Sequence, residues 1–231
     1  MSRGPFPALI YMKRAAPAGN DRPLWIFIEG DGIPWRNGME PSADPTTRNP
    51  LALELLIRSP APAAYITRPC YNGLRSDQCT VAHWTGARYS DEIVESMAAS
   101  VREVQRLSGA RDVSLLGYSG GGVLAVLIAE RLDHVASVVT VAANLDTDAW
   151  TKQHGYLPLT QSLNPALSQK EHSWPELHLQ GSADRVVPNA TTSHYFARYP
   201  RAQRRTVDGY DHVCCWVRDW NELSQEIFAS P

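Results

Sequence analysis

Three short stretches carry side chains suited to work together as nucleophile, base and acid. Gly117-Tyr118-Ser119-Gly120-Gly121 sets a serine among glycines. The apolar run 113–116 precedes it, and Val123, Leu124, Leu127, Ile128 and Leu132 follow at helical spacing. That context predicts a strand, a tight turn bearing the serine, and a helix. Side chains at Gly117 and Gly121 would collide where the chain turns so sharply. Taken alone, the stretch also fits a Gly-rich turn that cradles a phosphate. A serine hydroxyl is a weak nucleophile until a base takes its proton, and that base needs a carboxylate to orient it. Asp184 stands in the small-residue turn 181–188 after the expected strand 177–180, and His212 ends the sequence Asp208-Gly209-Tyr210-Asp211-His212 after the expected strand 203–207. In these roles Ser119 attacks a carbonyl, His212 carries the proton and Asp184 orients His212. Asp146 and Asp148, after the run 136–142, are the alternative acids. Asp211 is expected to be a local turn partner.

These residues need a scaffold that brings strand ends together. Residues 7–14 read as a first strand and 15–23 as a turn. Leu24-Trp25-Ile26-Phe27-Ile28 is apolar throughout, as in a strand covered on both faces. A loop is expected over 33–48. Asn49-Pro50 then opens a helix running to about Arg58. Residues 63–68 make a third strand. Ser90-Asp91-Glu92 starts a helix with the stripe Ile93, Val94, Met97, Val101, Val104 and Leu107, ended by Gly109. After the serine turn come strands at 136–142, 177–180 and 203–207, with helices expected over 189–199 and 216–228. Strand–helix alternation from residue 24 onward predicts an α/β fold: a mostly parallel sheet of about seven strands with helices on both faces. Loops at the carboxyl ends of such strands gather on one edge, where sites form.

The 231 residues are 43% hydrophobic, enough for one sizeable core and one domain spanning 1–231. Residues 144–175 lack strand signals and read as a short lid or loop insertion. A net charge of −2, with both signs dispersed, argues against a nucleic-acid surface. No apolar run approaches the roughly 20 residues that cross a bilayer. The N-terminal stretch has too short an apolar core for a good signal peptide. Cys70 and Cys79 close a polar loop, which reads as a disulfide in an exported protein and as free thiols in a cytosolic one. Adjacent Cys214 and Cys215 read as packing residues or a redox liability. No metal or cofactor is implied, since only 212–215 comes near a ligand spacing.

GYSGG, GSADRVVP and GYDH, in this order and each after a strand, resemble the α/β-hydrolase superfamily over nearly the whole chain from residue 24. EGDG, DPTTRNPLAL, RPC, HWTGARYS and SLNPAL are similar to an uncharacterised bacterial branch whose members are often expected to be exported or lipid-anchored. That likeness favours the Cys70–Cys79 disulfide and a periplasmic or secreted location, with a cytoplasmic one if the thiols are free. The superfamily implies a serine hydrolase, expected to act on a small-molecule ester, and the shortness of 144–175 favours an open site and small to medium acyl groups. The same three residues also serve amide, peptide, thioester and acyl-transfer chemistry, and a catalytically silent binding module is the reading from another class. The oxyanion hole is expected at the Gly120 N–H and, from the loop after residue 28, the Asp31 N–H, with Gly30 or Gly32 as alternatives. The side chain of Asp31 is expected to turn away and bond locally, and Glu29 to be held by a cation such as Arg36 or Arg88, because an inward carboxylate would repel an oxyanion. Trp35, Tyr118, Trp150 and Tyr156 are candidates for the substrate pocket, His154 and His172 for polar lid residues, and His83 and Trp84 for structural ones.

Overall fold

The computed structural model describes residues 6–13, 22–74 and 76–229. Its strands are β1 (Ile10–Lys13), β2 (Leu24–Ile28), the small hairpin β3 (Trp35–Arg36) and β4 (Glu40–Pro41), β5 (Ala63–Ile66), β6 (Val113–Tyr118), β7 (Val135–Val141), β8 (Glu176–Gly181) and β9 (Gln203–Val207). The helices are α1 (Leu51–Arg58), α2 (Asp91–Ser108), α3 (Gly120–Ala129), α4 (Thr147–His154), α5 (Ser193–Arg198), α6 (Trp220–Leu223) and α7 (Gln225–Ala229). Seven strands form one sheet in the order β1-β5-β2-β6-β7-β8-β9. Only β1 runs antiparallel, against β5. This is the α/β-hydrolase fold.

Alternation along β2 explains why all five of its residues are buried. Trp25 and Phe27 face a cluster with Leu51, Leu55, Leu116, Trp216 and Trp220. Leu24, Ile26 and Ile28 face the opposite cluster with Val94, Met97, Val101, Val123 and Tyr195. One face is thus covered by α1 and α6, the other by α2, α3 and α5. The chain steps from β2 through α1 to β5, then returns across β2 through α2 to β6. The loops after β2 and β6 therefore part in opposite directions, which opens a crevice at the carboxyl edge of the sheet.

The structure departs from the sequence-based expectations in four places. The 33–48 loop contains the β3–β4 hairpin. Residues 144–175 hold α4 and a single 3₁₀ turn, Pro165–Leu167. The 189–199 helix begins as a 3₁₀ turn, Asn189–Thr192. The closing helix does not start at Trp216; Cys214 and Cys215 lie in the turns before α6 and are joined to each other as a disulfide. The turn at 15–23 falls mostly outside the described residues.

Candidate active site

The first group of the site is Ser119. Its backbone adopts φ 52°, outside the comfortable range of an L residue, and its N–H donates to the Val141 carbonyl of the neighbouring strand at 2.8 Å. The glycines around it permit close approach. A Cβ at Gly117 would run into the Gly121 backbone, and one at Gly121 into the Ile28 and Glu29 carbonyls. The strand-to-helix turn therefore closes only with hydrogen at those positions.

The loops bearing Asp184 and His212 are stitched together. Ala183 N–H donates to the Tyr210 carbonyl at 2.9 Å, and Ser182 N–H to the Val207 carbonyl at 3.0 Å. Ser182 Oγ–H donates to Asp208 at 2.9 Å and accepts from Gly209 N–H at 2.8 Å. Both loops leave adjacent parallel strands, so these bonds bring Asp184 alongside His212. Asp184 Oδ1 accepts the N–H groups of Val186 and Val187, each at 2.8 Å. That leaves Oδ2 for His212 Nδ1 at 2.9 Å, and His212 Nε2 stands 3.1 Å from Ser119 Oγ. With Nδ1–H given to Asp184, Nε2 carries the lone pair that faces the serine hydroxyl. Tyr118 O–H and Trp216 Nε1–H both donate to the His212 carbonyl, at 3.1 and 3.2 Å, and hold the residue in place.

The Glu29-Gly30-Asp31 loop packs against this turn: a Cβ on Gly30 would lie 3.3 Å from Ser119 Cβ. Gly30 N–H donates to Glu29 Oε1 at 3.0 Å. Among the described residues, the N–H groups of Asp31 and Gly120 have no acceptor. The two acids are held otherwise than expected. Neither Arg36 nor Arg88 holds Glu29; Arg36 pairs with Glu40. The Glu29 carboxyl receives N–H groups from Gly30 and, at 3.0 Å, from Ala52 at the start of α1, with Tyr65 O–H nearby. A helix start offers free N–H groups, so a carboxylate there needs no cation. Burial nonetheless pushes its pKa up to about 7. Asp31 does not bond locally. It pairs with Arg68 and, at 2.8 Å, with Arg88, and Tyr89 O–H reaches both its oxygens. Burial disfavours its charge, but Arg88 and Arg68 prevail and hold its pKa at about 2. Local patterning gave no sign of this cluster, although the arginines lie in RPC and HWTGARYS.

The alternative acids are engaged elsewhere. Asp146 caps α4 through the N–H groups of Asp148 and Ala149 and approaches His194. Asp211 accepts from Val213 and Cys214 N–H, which lowers its pKa. Of the pocket candidates, Tyr118 lies beside His212, their rings 5.3 Å apart. Trp150 and Tyr156 meet at 5.3 Å, with His154 stacked on Tyr156. Trp150 Nε1–H and His154 both bond the Val186 carbonyl, tying this cluster to the loop of Asp184. Trp35 lies in the β3–β4 hairpin. His172 is not a lid residue in contact with the site; it joins Glu130 and Glu176 at the other end of β8. Cys70 and Cys79 form a disulfide. Among the described residues, no group of three or more His, Cys, Asp or Glu side chains is arranged to hold a metal ion, and no helix is long and apolar enough to cross a membrane.

A serine on a strained strand-to-helix turn, in an α/β-hydrolase sheet, defines the class of serine hydrolases built on this fold. The family model described as Serine hydrolase (FSH1) matches residues 61–212, and the chain belongs to that family. No curated protein sequence matches it. Among solved structures it is similar to Est1E from Butyrivibrio proteoclasticus with bound ferulic acid, at 13% identity and TM-score 0.67 over 96% of this chain and 94% of that one. It is similar to the Pyrococcus furiosus esterase Pf2001 at 12% identity and TM-score 0.64, over 97% and 91% of the two chains. It also resembles XC6422 from Xanthomonas campestris, an α/β serine hydrolase described as lacking a lid, at 12% identity and TM-score 0.60, over 100% and 94%.

Proposed function

We propose that this serine hydrolase cleaves carboxylic esters of small to medium acyl groups through an acyl-enzyme on Ser119. One observation carries the reading: the unbroken line Asp184–His212–Ser119, with contacts of 2.9 and 3.1 Å. As Ser119 Oγ attacks the ester carbonyl, its proton passes to His212 Nε2 and Asp184 stabilises the imidazolium. The C–O bond to the leaving alcohol breaks as His212 returns the proton to that oxygen. Water then repeats the sequence on the acyl-serine and releases the acid. The N–H groups of Gly120 and Asp31 receive the developing oxyanion; the Gly30 N–H is already committed to Glu29. Residues 144–175, with one short helix, serve as a low rim rather than a cap domain, which favours small acyl groups. The chain as a whole acts as one domain.

The Trp150–His154–Tyr156 cluster favours a second reading of the acyl group as aromatic, since these rings border the loop of Asp184 and offer faces for stacking. Est1E, the similar structure with bound ferulic acid, points the same way. A fluorophosphonate probe tests the core claim: it labels the wild type and not Ser119→Ala. Absence of labelling in folded wild type sinks the proposal. Rates on p-nitrophenyl acetate, butyrate and octanoate, on methyl ferulate and on matching anilides then rank acyl group and bond type.

A further inference from the structure

The Asp31 cluster is more elaborate than a turn requires. Two arginines, only 2% and 4% exposed, converge on one carboxylate. Each is anchored again: Arg68 Nη2 donates to the Arg88 carbonyl at 2.9 Å, and Arg88 Nε to the Thr85 carbonyl at 2.7 Å. Arg68 lies over the rings of Tyr71 and Tyr89 at 5.2 and 5.4 Å. Tyr71 O–H donates to the main-chain carbonyl of Asp31 at 3.0 Å. Side chain and backbone of one residue are thus gripped from separate directions. Burying two guanidiniums against one carboxylate carries a large desolvation cost unless geometry repays it. The cluster also touches the nucleophile turn, because a Cβ on Gly120 would strike the Asp31 carboxylate and the Tyr89 hydroxyl. Arg68 and Tyr71 flank Cys70, whose disulfide to Cys79 closes the segment that presents them.

We propose that Arg68, Tyr71, Arg88 and Tyr89 are positioning residues that hold the Asp31 N–H at the oxyanion, and that the Cys70–Cys79 disulfide anchors the segment that carries Tyr71 and, just ahead of it, Arg68. The inference rests on the ester-hydrolase reading above. A hydrogen-bond donor aids the transition state only if it is already aimed where charge develops. Glu29 fixes the loop on the α1 side, and the arginine pair fixes it on the α2 side. Between them the Asp31 N–H is left open, with its residue held from both sides. The pair also leaves an excess positive charge beside the site, so Asp31→Asn separates two effects. Positioning demands a fall in rate; bare electrostatics predicts a rise, because the local positive charge increases.

The test uses the full chain and p-nitrophenyl acetate. Removing one oxyanion donor costs about 10²–10³ in kcat, so Asp31→Asn is expected to lower kcat about 10–100-fold with KM within about threefold. Tyr71→Phe deletes a single hydroxyl and keeps the ring over Arg68. It is expected to lower kcat several-fold with an unchanged thermal midpoint, and so decides the matter if Asp31→Asn does not fold. The Cys70→Ser/Cys79→Ser double variant is expected to show the same kcat-selective loss. Affinity for phenylboronic acid, whose adduct with the serine mimics the tetrahedral state, is expected to fall in step with kcat. Rates within twofold of wild type for Tyr71→Phe and Asp31→Asn overturn the inference. So does a raised kcat in Asp31→Asn, or a loss confined to thermal midpoint and active fraction. Wild type that is neither labelled by fluorophosphonate nor active on any ester fails at the earlier reading and removes the basis of this one; labelled wild type with unaffected variants fails here alone.

Discussion

Ser119, His212 and Asp184 form one hydrogen-bonded line, and under the proposed mechanism their substitutions are expected to be strongly non-additive. Ser119→Ala is expected to lower kcat by about 10⁶, and Ser119→Ala/His212→Ala by hardly more. Asp184→Asn leaves shape and packing intact but presents the wrong hydrogen-bonding partner to Nδ1, so kcat is expected to fall by about 10⁴ in the same p-nitrophenyl assay. The convergence of these three side chains was legible in the sequence because each follows a strand and sits in a turn of small residues. Glu29 and Asp31 were legible as concerns but not as solutions. Their partners are 23, 37 and 57 residues away, and no local pattern announces a contact made only when α1, β5 and α2 pack on the sheet. Glu29 has its own pH signature. Its pKa is about 7 folded and near 4.5 unfolded, so the native state binds more protons between those values. Stability from this group is full below about pH 4.5 and declines as pH rises through 7. Glu29→Gln is expected to flatten that decline in thermal midpoints measured from pH 5 to 8.

Among the elements, most helices were readable, the short α5, α6 and α7 within ranges drawn too long, and α4 was not. α2 combines an acidic first turn, an apolar stripe and a Gly109 stop in left-handed conformation. α4, with the sequence TDAWTKQH, has no such stripe; it forms because Asp146 caps it and its aromatic rings hook onto Val186. Strand β8 shows the same dependence on distant partners at its amino end. Buried Glu176 accepts Tyr195 O–H at 2.7 Å, Trp174 Nε1–H at 3.1 Å and His178 at 3.0 Å, and lies 2.5 Å from His172. Burial opposes charge on both groups, but Glu130 and then Glu176 outweigh it for His172, raising its pKa to about 9, and His172, His178 and Tyr195 outweigh it for Glu176, lowering its pKa to about 2. The His172 contribution is full below about pH 6.5 and lost as pH rises through 9; the Glu176 contribution is present above about 4.5 and lost as pH falls toward 2. His172→Gln is expected to remove the alkaline limb between pH 6.5 and 9, read by urea unfolding at fixed temperature. The Cys70–Cys79 disulfide closes a loop with a sequence separation of 9, for which chain entropy alone gives roughly 2–3 kcal/mol. Cys79→Ser is expected to lose about that much in the same urea experiment.

For the molecule as a whole these terms add with definite signs. Glu29 and His172 weaken the fold as pH rises, while Asp31 and Glu176 weaken it as pH falls. Maximum stability is therefore expected on the mildly acidic side of neutrality, checked by thermal midpoints across pH 3 to 10. The overall architecture was legible from strand–helix alternation, since covered parallel strands are apolar runs and their order follows from crossover geometry. The depth of the carboxyl-edge crevice was not, because it depends on how far loops fold over it.

The last strand has a further consequence. Among the described residues, β9 ends the sheet and no neighbouring strand pairs with its outer backbone groups. Its sequence is QRRTV, with Gln203, Arg204 and Thr206 exposed and Arg205 engaged by Glu226. Cations on a terminal strand repel a second copy that tries to extend the sheet. Such residues are gatekeepers against self-association: replacing Arg204 and Arg205 with valine is expected to leave catalysis intact while sedimentation reveals soluble aggregates.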